Sequence, residues 1–351
     1  MCCFFYLYLN KFKIYFTVGK ENINKLFDKF NQYNVIVIGD VMIDTYFWGK
    51  VERISPEAPV PIISRSDIEH RLGGAGNVAL NVQSLGATPF LCSVIGDDDK
   101  SVVLKNLLKK RGLSDIGIVT DSDRITTIKT RVISDNQHLL RIDEEITENI
   151  PTKTQDIFID KLKTIILGRK IDAIIFEDYD KGVITSNLIS QIVEIAKSNN
   201  IPTLVDPKKR NFMDYKGVTL FKPNFKELVE GLKLDIGKND FKGLHEASNQ
   251  LRDKLGIEMV MATLSELGIY ISDNGSYHNI PAEIRDIADV SGAGDTVIST
   301  ASLCLAASLP PKDIAYISNL AGGIVCEKVG VVPIDKELLK EEYFRIKEET
   351  Q

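Results

Sequence analysis

A carboxylate that follows two glycines into an apolar helix is the arrangement in this chain with the most chemistry in it. Asp289-Val-Ser-Gly-Ala-Gly-Asp-Thr296 holds Gly292 and Gly294 with Ala293 between them, and Asp295 comes next. Val297, Ile298, Ala301 and Leu305 then recur at helical spacing. A glycine turn feeding a helix N-terminus leaves backbone N–H groups unpaired, so it attracts anions. Asp295 falls in the first turn of that helix. A carboxylate there repels phosphate and is not its ligand. Two readings stand: Asp295 caps the helix, or it takes a proton from a hydroxyl as the hydroxyl attacks phosphorus.

The elements that must position this group follow an α/β rhythm. Val35–Ile38 is a short β-rich run fit for a fully buried strand, and Asp44 lies beyond its carboxyl end. Asp44 is either a substrate ligand or a turn residue. Gly73 and Gly74 open the stretch GGAGN, which ends at Asn77. Ala75, Val78, Ala79, Val82 and Leu85 mark the helix after it. GGAGN lacks the GxGxxG spacing of a dinucleotide site and does not directly follow the first strand. From residue 152 strands and helices alternate regularly, with Asp178 and Lys181, then Asn224, then Thr263 just after apolar strands. A mostly parallel sheet covered on both faces follows. In such a sheet the carboxyl ends of the strands gather along one edge, where ligands bind. Asp44, Gly74, Asp178, Asn224, Thr263 and Asp295 all fall there, which turn chemistry alone does not explain.

Two segments depart from the rhythm. Residues 46–71 carry Tyr46, Phe47 and Trp48 and then the proline-rich RISPEAPVP, which suits strand edges and extended loops. Residues 116–142 contain β-like runs joined by a hairpin turn near Ser134. Together they predict a small lid sheet outside the main fold, whose aromatics suit a lid or a partner surface. Residues 1–17 are aromatic and apolar but broken by Asn10, Lys11 and Lys13, too short to span a bilayer. We expect residues 1–30 to be an extension outside the fold and 31–351 to form one domain.

Composition removes several classes. The chain has 351 residues and a net charge of −6, so nucleic acid and anionic membrane surfaces have no electrostatic footing. The five cysteines include no CxxC pair, and the four histidines show no metal-ligand spacing. Reduced core thiols of a cytoplasmic protein are the expectation.

The pairing of GGAGN near the start with DVSGAGDT near the end resembles the ribokinase-like, or PfkB, carbohydrate kinases. The resemblance runs from about Val35 to Val332. It implies a three-layer α/β/α fold with about nine strands and a β lid. It also implies roles. Asp295 resembles the catalytic base, and the backbone of Gly292, Ala293 and Gly294 the anion hole. Asn224 and Glu227 match an NxxE element that serves ATP phosphates and the water shell of Mg²⁺. Thr263, Gly268 and Asn319 match the nucleotide side. Asp44, Gly73, Gly74, Asn77, Asp178 and Lys181 fall on the sugar side. Asp289 and Ser291 match positions whose backbone holds a monovalent cation, K⁺ among the candidates. Ser291 replaces the family's more usual Thr, and Glu177 stands where relatives often have Ser.

Within that family GDVMIDTYFWGKVERISPEAPVP, EDYDKG and VDPK resemble kinases that phosphorylate C1 of D-glycero-D-manno-heptose 7-phosphate. The expected product is the 1,7-bisphosphate, an intermediate toward ADP-heptose and lipopolysaccharide core. Arg53, Lys129, Arg131, Arg141, Lys181 and Lys208 are candidates for the distal phosphate. Rival readings are a kinase for ribose, fructose or another sugar, and a non-catalytic sugar or nucleotide regulator. Bifunctional relatives carry a second, nucleotidyltransferase domain with paired histidines. Leu244-His245 lacks the second histidine, so a stand-alone kinase is the expectation. Family members often pair through the lid, which implies a homodimer.

Overall fold

Val35, Ile36, Val37 and Ile38 are all within 1% of full burial, and they point alternately to opposite faces of one sheet. Val35 and Val37 join one apolar cluster, and Ile36 and Ile38 join another on the far side. A strand buried on both faces reads as an unbroken apolar run because neither face meets water. The computed structural model describes residues 20–134 and 137–349.

The chain begins with α1 (Lys20–Phe30), β1 (Asn34–Gly39), β2 (Val41–Ile54), β3 (Pro61–Gly74), α2 (Ala75–Ser84) and β4 (Thr88–Gly96). Then come α3 (Asp99–Lys110), β5 (Gly117–Asp121), β6 (Ile128–Ser134), β7 (Gln137–Glu144), α4 (Thr152–Gly168) and β8 (Ala173–Glu177). The second half holds α5 (Ser186–Ser198), β9 (Thr203–Asp206), β10 (Leu220–Phe221), α6 (Phe225–Leu232), α7 (Phe241–Leu255) and β11 (Met259–Thr263). Last are β12 (Ile269–Ser272), β13 (Tyr277–Ile280), α8 (Ala293–Ala306), α9 (Pro311–Cys326) and α10 (Lys336–Glu349).

Among the described residues the strands form two sheets, one of nine strands in the order β13-β12-β11-β10-β9-β8-β1-β4-β5, the other β3-β2-β6-β7. The large sheet is parallel except where β12 pairs with β11 and β13. Helices α1, α2, α8, α9 and α10 contribute to the cluster on one face; α4, α5, α6 and α7 contribute to the other. This is the expected ribokinase-like α/β architecture with a second, smaller sheet.

Three boundaries differ from the sequence reading. The expected extension over residues 1–30 ends earlier than its sequence suggests. Lys20–Phe30 form a helix whose Ile23, Leu26, Phe27 and Phe30 are at most 7% exposed in the core. Residues 1–19 lie outside the described residues. Gly117–Asp121 belongs to the large sheet, not the lid, because it pairs in parallel with β4 and buries Ile118 and Val119. The lid strands also reach the core directly: β2 starts at Val41, and β3 runs on to Gly74. Tyr46 is consequently buried rather than exposed, with Arg71 and Arg131 over its ring and Trp48 stacked beside it.

Candidate active site

Gly292 adopts φ 80° ahead of α8, a left-handed conformation that suits glycine, and Asp295 sits in the first turn. The N–H of Ala293 turns onto Val290 O at 3.3 Å. That corrects the expected anion hole at one position. Among the described residues the N–H groups of Gly292, Gly294 and Asp295 find no acceptor, whereas that of Ala293 does. Lys222 lies behind this turn. Its side chain is 2% exposed, Nζ is 2.7 Å from Asp206 Oδ2, and a Cβ added to Gly294 would lie 3.7 Å from it. Unpaired N–H groups and a helix N-terminus, which favour negative charge, meet here the Lys222 ammonium, whose partner Asp206 Oδ2 lies as near, at 3.5 Å from the same point.

Asp295 is held from two sides. Asn77 Nδ2 donates to Oδ2 at 2.6 Å, and the Tyr179 hydroxyl donates to Oδ1 at 3.1 Å. Burial raises its pKa to about 6, with the Asn77 bond opposing and the Asp206 charge adding. Such a carboxylate is ionised at neutral pH yet basic enough to take a proton. Beside it Glu177 is fully buried, and neither oxygen has a partner among the described residues. Burial, then the charges of Asp206 and Asp295, push its pKa well above the carboxylate range, which favours its neutral form.

The glycines between β3 and α2 let the sugar-side groups approach. A Cβ on Gly73 would lie 2.2 Å from Asp44 Oδ2, and one on Gly74 (φ 57°) 2.3 Å from Asp40 O. Asp44 is 3% exposed and ion-paired with Arg131. Asp178 departs from expectation. Its carboxylate accepts from Tyr215 OH at 2.7 Å, Asn211 Nδ2 at 3.0 Å and the Asp180 N–H at 2.9 Å. It braces its own loop, and its neighbour Tyr179 reaches Asp295 instead. Lys181 is turned to the lid, with Nζ 2.7 Å from Glu145 Oε1. Asp40, which reads as a turn residue, organises this loop by accepting the N–H groups of Tyr179, Lys181 and Val183 at 2.9, 3.1 and 3.1 Å.

On the other side of Asp295 a cavity of about 600 Å³ is lined by Thr263, Gly268 and Asn319 together with Ala293 and Gly294. Gly268 has φ 86°, and a Cβ there would meet Ile280 O at 2.0 Å. Asn319 Nδ2 donates to Pro281 O at 2.8 Å. Asn224 bridges to Thr263 of this lining, and with Glu227 it forms a reciprocal cap on α6, with bonds of 2.9 and 2.8 Å. The second Glu227 oxygen accepts from Lys208 Nζ at 2.8 Å. Asp289 accepts the N–H groups of Ser291 and Gly330, both at 2.9 Å, so its carboxylate closes the loop. A monovalent cation here would take backbone carbonyls.

Sequence reasoning passed over Tyr179, Asp206 and Lys222. For Asp206 and Lys222 the signal was present in VDPK and KPN, which set charged residues at strand ends.

A family model described as pfkB family carbohydrate kinase matches residues 32–337. The chain belongs to that family. It is a phosphotransferase with an alcohol group as acceptor. It is 38% identical over 314 residues to the bifunctional protein HldE of Pelobacter propionicus, covering 89% of this chain and 64% of the relative. It is 40% identical over 297 residues to HldE of Aliarcobacter butzleri, covering 85% and 61%. The chain thus spans less than two thirds of these relatives. In fold it is similar to Escherichia coli phosphofructokinase-2 in complex with fructose-6-phosphate, at TM-score 0.71 and 15% identity, covering 90% of this chain and 99% of that one. Arabidopsis thaliana ribokinase complexed with ribose and ATP gives TM-score 0.67 at 15% identity, covering 88% and 98%. PfkB kinases use ATP with a divalent metal. No described helix is long and apolar enough to cross a membrane.

Proposed function

We propose that this PfkB kinase moves the γ-phosphoryl group of ATP to the C1 hydroxyl of D-glycero-β-D-manno-heptose 7-phosphate in the cytoplasm. One observation carries the chemistry. Asp295 stands at the start of α8, held by Asn77 and Tyr179, beside unpaired N–H groups backed by Lys222. Asp295 takes the hydroxyl proton as that oxygen attacks phosphorus. The bond from phosphorus to the bridging oxygen breaks, and ADP leaves. Gly292 and Gly294 N–H and the Lys222 ammonium stabilise charge on the moving group. Phosphoryl transfer is accelerated mainly by such fixed charges and by positioning.

The nucleotide belongs in the cavity lined by Thr263, Gly268 and Asn319, with its phosphates toward Gly294. Glu227 and Asp206 flank Lys208 and offer only oxygen donors. Among the described residues no cluster of three His, Cys, Asp or Glu encloses a metal. That donor set fits Mg²⁺, which keeps most of its waters and draws few protein ligands. When bound, the ion supplies charge neutralisation at the phosphates. A K⁺ ion at the carbonyls of Asp289 and Ser291 fits the loop that Asp289 closes.

The heptose assignment rests on the lid strings and on a cradle for the distal phosphate. Lys129 and Lys181 are tied to Glu145, Arg141 to Asp143, and Lys208 to Asp206 and Glu227. Arg131, paired with Asp44, and Arg71, paired with Glu69, share the Tyr46 ring in a small cavity that also touches Ser291 and Gly330. Each guanidinium has five N–H donors, more than its one carboxylate partner uses. Arg131 with Arg71 is the pair we assign to the 7-phosphate. The test is product mass spectrometry and kcat/KM for the 7-phosphate, the unphosphorylated heptose, fructose 6-phosphate and ribose. Highest kcat/KM for the heptose 7-phosphate supports the reading. Equal or better turnover of a sugar without a distal phosphate overturns it.

A further inference from the structure

Residues 281–291 have no regular secondary structure and form one wall of the 600 Å³ cavity. Ile284, Ile287 and Val290 stand in water on this wall at 103%, 58% and 69% exposure. The wall is tied at both ends. Pro281 O accepts from Asn319, and the N–H groups of Ala288 and Asp289 donate to Cys326 O at 2.8 and 3.1 Å. Between those ties, among the described residues, the backbone of 282–287 makes no hydrogen bond.

Arg285 is the anchor in the middle. Its side chain is only 7% exposed. Nη1 is 2.7 Å from Glu327 Oε1, at the end of α9, and Nη2 is 2.7 Å from Glu342 Oε2 on α10. The stem lies on bare helix, since a Cβ on Gly323 would come within 3.1 Å of Arg285 Cδ and Nε. The wall has space on its far side too. A second cleft of about 220 Å³ is lined by Ile284, Arg285, Ile324, Leu338 and Glu342. Ile284 and Arg285 are therefore a partition between two cavities. Packing does not fix a partition with space on both sides, so the rigid fork of Arg285 does.

We propose that Arg285 is a positioning residue for the nucleotide: it clamps the 281–291 wall to α9 and α10 and thereby sets the width of the base pocket. It touches no reacting atom. The proposal rests on reading the large cavity as the nucleotide site. Arg285 as mere glue for α10 is the competing role. Glue predicts a lower melting temperature with no selective change in nucleotide affinity.

The experiment uses the full chain and four proteins: wild type, Arg285→Gln, Arg285→Lys and Glu342→Gln. ATP affinity is measured by calorimetry, and KM for ATP, KM for sugar and kcat by steady-state assay below the melting transitions. Substitutions that act on a site through the network around it shift affinities by about 2- to 30-fold. We expect ATP Kd and KM to rise about tenfold in Arg285→Gln and about threefold in Glu342→Gln, within that range. Arg285→Lys keeps the charge without the fork and recovers part of the loss. Sugar KM and kcat at saturating ATP stay within about twofold, outside that effect. Unchanged ATP affinity, or equal shifts in both KM values and kcat, overturns the clamp. If Arg285→Gln does not fold, Glu342→Gln decides by the same criteria. A wild type that binds no ATP overturns the cavity reading itself, whereas equal binding by wild type and variants overturns the clamp alone.

Discussion

Asp295 carries two properties that pull against each other. It is buried, which disfavours its charge and raises its pKa to about 6, and its chemistry needs that charge. The ionised form exists above about pH 6, so kcat/KM should fall as pH drops through that value. A free-enzyme pH profile flat down to pH 5 would contradict the assignment. Asp295→Asn should lower kcat by roughly 10²–10⁴. It also removes a buried charge, so its melting temperature should not fall; a large drop in melting would mean that lost activity reports lost fold. Lys222→Met tests the second charge. Removing one preorganised oxyanion donor costs about 10²–10³ in kcat. The same change leaves Asp206 with Lys208 as its one cationic partner among the described residues, so melting must be followed in parallel. ATP affinity that falls tenfold while kcat holds would make Lys222 a ground-state binder instead.

At the scale of elements, what was legible followed from local rules. β1 reads as a strand because both its faces are apolar. α8 reads as a helix with an anion site because glycines precede its apolar stripe. The NxxE spacing of Asn224 and Glu227 reads equally as a capping box, and it is one. What stayed hidden depends on long-range approach. Nothing local says that Tyr179 rather than Asp178 reaches Asp295, because the choice is made by Tyr215 and Asn211 far along the chain. Gly117–Asp121 is β-rich whichever sheet receives it. α1 was missed because it lies beyond a run of odd composition, although Ile23, Leu26, Phe27 and Phe30 repeat at helical spacing. Fully burying such a side chain stabilises by about 1.5–3 kcal/mol, so four approach the whole stability of an ordinary domain, about 5–15 kcal/mol. A chain starting at Asn31 should therefore fail to fold or melt far lower. One starting at Lys20 should match the full chain in melting and activity. Equal melting of the Asn31 version would show that α1 adds nothing.

At the scale of the molecule the lid presents a problem that one chain does not solve. A four-stranded sheet is stable only when an apolar face is covered, and here the inner ends of β2 and β3 and part of β6 are buried, whereas β7 is exposed along almost all of its length. Farther out Ile54, Val60, Leu140 and Ile142 are 61%, 51%, 56% and 48% exposed. Leu140 and Ile142 lie on one face of β7, two residues apart. Exposed apolar side chains paired on one strand face, as Leu140 and Ile142 are, suit an interface. We expect a second copy of this chain to cover it, lid against lid, because that places like surface on like surface across a two-fold axis. A stable pair of this sort buries about 1,200–2,000 Å² in total. Light scattering at micromolar concentration should give twice the chain mass. Leu140→Asp with Ile142→Asp should return the mass to that of one chain. The Lys181–Glu145 pair ties this end of the lid to the core. With the lid's outer face uncovered, the monomeric variant should keep its ATP affinity and lose affinity for the sugar. A wild type that scatters as a single chain at micromolar concentration refutes the dimer, and a monomeric variant with unchanged sugar KM separates the lid's two roles.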